Sequence, residues 1–221
     1  MREIVENQIY RVGSSGCEVY LIDTHSKEGL VLIDCGMDIA MIKRISSERL
    51  DPKNIKHCII THCHIDHIAA CNDLQNFIPA IKFYAHELDS EAIEQKNHDS
   101  KTAASWYGTN YHPVKLFRKF HKSSEILKIG DIEFEIIHTP GHTPGSISII
   151  VESNGFKILF GQDIHGPFYE SFGSNLNDYQ TSMKTLLEKK PDILCEGHFG
   201  IIKPFRKVES YIKRYMKENK P

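Results

Sequence analysis

No uninterrupted apolar run in the chain is long enough to cross a bilayer, and there is no C-x-x-C pair, internal repeat or low-complexity tract. Each absence removes a class of protein. A transmembrane helix needs about 20 apolar residues, so none is expected. The opening stretch MREIVENQIYRV has no apolar core behind Arg2, so it does not read as an export signal. The expectation is a cytoplasmic protein with no membrane partner. Cys17, Cys35, Cys58, Cys63, Cys71 and Cys195 sit mostly in apolar runs such as CEVYLID and DILCEG, which fits reduced, buried thiols better than a disulfide framework. An excess of charge of one sign is also missing. With 27 Lys+Arg against 29 Asp+Glu the formal charge is -2, so neither nucleic acid nor an anionic membrane is expected as a partner. Oligomeric state leaves no mark that can be read.

At 221 residues the chain can bury a sizeable core, and one domain over 1–221 is expected. Short runs rich in Val, Ile, Phe and Tyr read as strands: NQIYRV from Asn7, CEVYLID from Cys17, GLVLIDC from Gly29, HCIIT from His57, IEFEIIH from Ile132, SISIIVE from Ser146, FKILFG from Phe156 and DILCEG from Asp192. Between them lie runs with helical spacing: MDIAMIKRISSERL, DHIAACNDLQNF beginning at Asp66, HELDSEAIEQK, NDYQTSMKTLLEKK and VESYIKRYMKEN. Asn154-Gly155 between two apolar runs signals a hairpin. This order implies an α/β protein of two packed sheets with helices outside. The segment from about Asn97 to Ser124 is polar and aromatic without a period, and reads as an excursion from the core.

What the chain has in excess is histidine, 13 residues, and their placement carries the chemistry. THCHIDH leaves the apolar strand HCIIT and enters a helical run. Residues two apart in extended chain point to one side, so His62 and His64 can face one ion. Asp66 would then cap the helix, with His67 on its first turn. Four ligating groups thus converge within six residues at a strand end. Three further candidates sit in the same kind of place, a strand end followed by a Gly-rich turn: His142 in HTPGHTPGS, Asp163 in LFGQDIHG and His198 in CEGHFG. Cys63 alternates away from His62 and His64. His165 could touch substrate or pack beside the cleft, and His138 ends a strand in phase with buried positions. His57, His98, His112 and His121 join no cluster. Trp106, Tyr107 and Tyr111 either wall a pocket or form a local satellite core, and FRKFHK at 117–122 reads as a solvated face.

H-x-H-x-D-H, a His in a G-H-x-x-G-S turn, a strand-end Asp and a final G-H resemble the metallo-β-lactamase superfamily, over most of the chain from Asp34 in LIDCG to His198. That resemblance implies a four-layer αββα sandwich of two similar halves, with metals where the sheets meet. It assigns His62, His64 and His142 to one metal, Asp66, His67 and His198 to a second, and Asp163 to both. Asp34 would support the site without ligating. Two zinc ions suit such ligands, and iron or manganese would also be accepted. A hydroxide held between the ions is available near neutral pH and can attack an electrophilic centre, with Asp66 helping to move the proton.

Within the resemblance, the glyoxalase-II-like branch shares the whole ligand set, but its members usually add a C-terminal helical segment with basic residues for glutathione, whereas only 23 residues follow His198 here. The expectation is therefore a hydrolase of a small-molecule thioester, ester or lactone with the substrate unassigned. A mononuclear-iron persulfide dioxygenase is the alternative. Phosphodiester cleavage lacks a basic surface, and a non-enzymatic metal-binding scaffold would be expected to have lost a ligand.

Overall fold

The computed structural model describes all residues except 14, 15, 49 and 97–99. Its strands are β1 (Arg2–Val5), β2 (Ile9–Arg11), β3 (Tyr20–Asp23), β4 (Leu30–Ile33), β5 (Ile55–Ile59), β6 (Lys82–His86), β7 (Leu116–Phe120), β8 (Ser124–Ile129), β9 (Ile132–His138), β10 (Ile147–Ser153), β11 (Phe156–Gln162), β12 (Ile193–Glu196) and β13 (Gly200–Ile202). The helices are α1 (Met41–Ser47), α2 (Ile65–Ile68), α3 (Cys71–Phe77), α4 (Glu87–Glu94), α5 (Leu176–Glu188) and α6 (Phe205–Glu218). Among the described residues, no helix is long and apolar enough to cross a membrane.

Strands β1 to β7 form one sheet in chain order, and β13-β12-β11-β10-β9-β8 form the other. Period-two alternation of apolar residues explains why both sheets are covered on two faces. In β4, Leu30 and Leu32 pack outward against Met41, Ile45, Ile68 and Leu74, while Val31 and Ile33 pack inward. In β11, Ile158 and Phe160 face inward and Leu159 faces Tyr179, Met183 and Leu186 of α5 and Val208 and Ile212 of α6. Three apolar layers therefore separate four layers of structure, the expected αββα sandwich. Each fully buried Leu, Ile or Phe in them contributes roughly 1.5–3 kcal/mol.

Pairing is antiparallel from β1 to β4, then parallel from β4 through β7. In the second sheet β11 and β12 run parallel. The C-terminal ends of β4, β5, β11 and β12 consequently gather on one rim, where their following turns can meet. The β10–β11 hairpin turns at Asn154 and Gly155 with φ of 48° and 79°, as a two-residue hairpin of this hand requires.

Several elements differ from the reading of the sequence. The strands β1, β6, β7, β8 and β13 are not among the runs read as strands. LFRKF exposes its three central residues because β7 is a sheet edge, so neither face alternates. Part of the aperiodic 97–124 segment is thus integral to the sheet. DHIAACNDLQNF divides into α2 and α3, and Asp66 does not cap α2: His64 holds the N-cap position and Asp66 lies in the first turn. The turn starts earlier because the His67 N–H already donates to the His64 carbonyl.

Candidate metal centre

Beyond β5 the chain stays extended through Thr61 to His64, which projects His62 and His64 to one side before α2 begins. The structure places His62, His64, His142 and Asp163 in one buried group whose ligating atoms lie within 4.8 Å of one another, and Asp66, His67 and His198 in a second. Asp163 stands between them. Its Oδ2 lies 3.8 Å from His62 Nε2 and 3.4 Å from His142 Nε2, while Oδ1 lies 3.3 Å from His67 Nε2. His198 Nε2 is 3.3 Å from Asp163 and 3.4 Å from Asp66. All seven residues singled out by the sequence are therefore brought together on the sandwich rim.

Those separations suit a cation. Ligands at about 2.0–2.1 Å from a tetrahedral ion stand about 3.3 Å apart. Further support comes from unmet polar atoms: Nε2 of His62, His64, His67 and His142 and Oδ1 of Asp163 are buried and form no hydrogen bond. Orphaned buried groups of this kind cost about 1–3 kcal/mol each unless something satisfies them. Five orphans pointing at one space, with two carboxylates among the lining groups, fit divalent ions.

Tertiary contacts hold the rings. Asp34, in a left-handed conformation at φ 59°, accepts from the Thr61 N–H and hydroxyl at 2.7 Å and pairs with His67 Nδ1 at 2.7 Å. Gln162 Nε2 also donates to Asp34. The Pro167 carbonyl meets His142 Nδ1 at 2.8 Å, which fixes the orientation of that ring. Asp89, buried in α4, accepts from the Cys63 N–H at 3.0 Å, the Thr143 hydroxyl at 2.8 Å and the Gly145 N–H at 2.8 Å, tying the two histidine-bearing loops together. Gly141 is required at φ 146°, because a side chain there would strike the backbone of Tyr179.

Burial, reinforced by neighbouring imidazoles, holds His62 and His64 well below their usual pKa, so both present a free lone pair at neutral pH. At His67 burial pulls the same way, yet Cys17, Asp163, Asp66 and Asp34 outweigh it and raise the pKa well above its usual value. His198 is raised as well: burial opposes the shift, and Asp163 overcomes it. Burial would raise the Asp163 carboxyl, but His67, His142 and His198 hold it well below the carboxylate range.

Other candidates separate cleanly. Cys63 is buried and faces away from both groups, as alternation implies. His165 bonds Glu196 through Nδ1 at 2.8 Å and packs on His198 with ring centroids 5.1 Å apart. It also forms a third ligating group with Asp163 and His198. His57 is buried against the Tyr84 hydroxyl, His112 and His121 are exposed, and His98 lies outside the described residues. His138 is half-buried and stacks on His86 at 3.9 Å. Tyr111 leaves the cleft: it is buried and its hydroxyl donates to the Ile93 carbonyl, whereas Trp106 and Tyr107 are exposed. Burial, then the charge and hydrogen bond of Asp66, push the Tyr107 phenol up to about 12. In FRKFHK, Arg118 pairs with Glu125 and Lys119 with Glu94. Gln162, Asp89 and Glu196 were not legible as site residues, since none sits in a motif and each acts through a distant partner.

A four-layer sandwich that carries a His/Asp cradle at the rim of its two sheets defines a class of metal-binding fold. The chain belongs to the metallo-beta-lactamase superfamily, a superfamily made up mostly of hydrolases, whose family model matches residues 12–198. Hydroxyacylglutathione hydrolase GloC of Haemophilus influenzae is 31% identical over 186 residues, 80% of this chain and 83% of that protein. A probable hydroxyacylglutathione hydrolase of Schizosaccharomyces pombe is 24% identical over 194 residues, covering 84% of this chain and 65% of its own length. Among solved structures, a subclass B3 metallo-beta-lactamase with an active-site glutamic acid aligns at TM-score 0.81 with 24% identity, over 98% of this chain and 87% of that one. These structural likenesses establish the fold alone.

Proposed function

We propose that this protein is a two-zinc hydrolase that cleaves a small-molecule thioester, ester or lactone by attack of water. The observation that carries the reading is the set of orphaned, buried ligand atoms converging on Asp163 from both sides. Similarity to a hydroxyacylglutathione hydrolase supports hydrolysis of an activated acyl bond. Bound divalent cations supply Lewis acidity and bring the ionisation of water near neutral pH. His62, His64 and His142 would hold the first ion and Asp66, His67 and His198 the second, with Asp163 available to both.

Asp66 has a second task. Its carboxylate lies in the mouth beside His198 and the Tyr107 hydroxyl, where it accepts the proton of the attacking water and returns it to the leaving group. Asp34 keeps the His67 ring oriented and Gln162 keeps Asp34 in place. Six buried cysteines, none of them in a disulfide, support a reducing, cytoplasmic location. Elemental analysis of the purified protein, followed by a thioester, ester and lactone panel, tests the reading. Close to two ions per chain, chiefly zinc, with turnover is expected; a single iron with consumption of a persulfide would replace the reading with sulfur oxygenation.

A further inference from the structure

Of the nine large apolar side chains exposed among the described residues, four, Trp106, Tyr107, Tyr169 and Phe199, lie around the mouth of the metal centre. They come from three separate segments: the 3-10 turn Ala104–Tyr107, the loop after β11, and the turn between β12 and β13. Phe172 connects one side of this rim to the cradle. It is buried, packs on His64 with ring centroids 4.3 Å apart, and meets Trp106 at 5.1 Å and Tyr169 at 5.3 Å. Trp106 and Tyr169 in turn meet edge to face at 5.0 Å, which leaves an aromatic wall running from a ligand ring out to solvent. Across the centre, Phe199 packs on His165 at 5.0 Å.

A satellite core does not explain this wall. Tyr111, from the same segment, does join the core, but Trp106 stays 57% exposed. Exposed apolar rings gathered beside ligand side chains mark a surface that is covered during function. Among the described residues, no lysine or arginine lies over the rings of Trp106, Tyr169, Phe172 or Phe199; the cations that meet rings lie over Phe117, Phe120, Tyr211 and Tyr215. Arg214 lies over Tyr215 on α6, and it is paired with Glu218 at 3.7 Å. An anionic substrate such as a glutathione thioester would bring carboxylates to a mouth that offers rings.

We infer that the substrate is a neutral ester or lactone bearing an apolar tail, with the tail held on the Trp106–Tyr169–Phe172 wall. This rests on the hydrolase reading above and narrows it. Trp106 is the only tryptophan of the chain, so its emission reports directly on occupancy of the wall. Titrating γ-nonalactone, a neutral ring with a pentyl tail, into metal-free protein shifts that emission to the blue and saturates. Tail-less γ-butyrolactone and S-lactoylglutathione leave it unchanged.

With the zinc-loaded protein, kcat/KM for γ-nonalactone exceeds that for γ-butyrolactone and S-lactoylglutathione by at least about tenfold, the worth of roughly two buried methylenes. Trp106→Ala reduces this preference by about tenfold through KM, and Trp106→Phe restores most of it. Emission that does not respond in a protein that hydrolyses γ-nonalactone overturns the inference and leaves the hydrolase reading standing, as does faster turnover of S-lactoylglutathione. Saturable emission without hydrolysis of any of the three supports the wall and overturns the hydrolase reading. The wild-type titration decides the matter if Trp106→Ala fails to fold.

Discussion

His62, His64, His142 and Asp163 are all buried, whereas in the neighbouring group Asp66 and His67 are buried and the His198 side chain keeps a quarter of its surface open. The supports differ in the same sense. His62 and His64 leave a strand end whose Cys63 N–H is anchored by Asp89, and Asp89 also fixes the loop that carries His142. His67 rides on the four-residue helix α2, and His198 on a short turn held by Glu196, which accepts from the His198 N–H at 2.7 Å. Charge separates them again: His62 and His64 are held neutral, while His67 and His198 are biased toward the proton. On the proposed two-ion reading, the first group is a preformed cation site, and the second is one that a cation would enter by displacing protons.

Asp163→Ala is the most severe way to break this comparison, since that carboxylate faces both groups. Both ions are lost on dialysis and activity falls by about a thousandfold or more, several kcal/mol of charge stabilisation at 1.36 kcal/mol per decade. Retention of two ions with unchanged turnover would remove the two-metal reading. His198→Ala isolates one side: the protein is expected to keep close to one ion, with activity down by about a hundredfold. Loss of both ions in that variant would mean that the groups are not independent.

Asp34→Asn tests support rather than ligation, because it leaves every proposed ligand in place. A loss of about 10–100-fold in affinity for the second ion is expected, read by competition with a chelator. An equal loss at the first ion would show that Thr61 transmits the change, as its bonds to Asp34 and contact with His62 allow.

The smallest effect is a difference in pH dependence. His62 and His64 stand below their usual pKa, are uncharged near neutral pH and release no proton on binding. His67 and His198 stand above theirs, so affinity at the second group rises with pH, by about tenfold per unit for each proton displaced. Calorimetry of metal-free protein in buffers of differing ionisation enthalpy measures the two releases. Equal proton release in both steps would contradict the assignment.

Much of this centre was legible because its chemistry is local. THCHIDH puts four ligating groups within six residues, and His142, Asp163 and His198 each follow an apolar run and sit beside glycine. Strand alternation likewise predicted two buried sheets, and β4 and β11 obey it residue by residue. The sequence alone determined which residues are the candidate ligands, which strands are buried on both faces, and where the tight β10–β11 turn falls, since each depends on neighbours a few positions away. Tertiary structure decided the rest. The edge strand β7 is defined by its pairing with β6, not by a pattern of its own, so its exposed centre reads as loop. Asp89 and Gln162 matter through partners far along the chain, and Tyr111 and Trp106 part ways, one into the core and one to the mouth. A carboxylate, an amide or an aromatic ring looks the same in sequence wherever it ends up, and its role is set by what the fold brings against it.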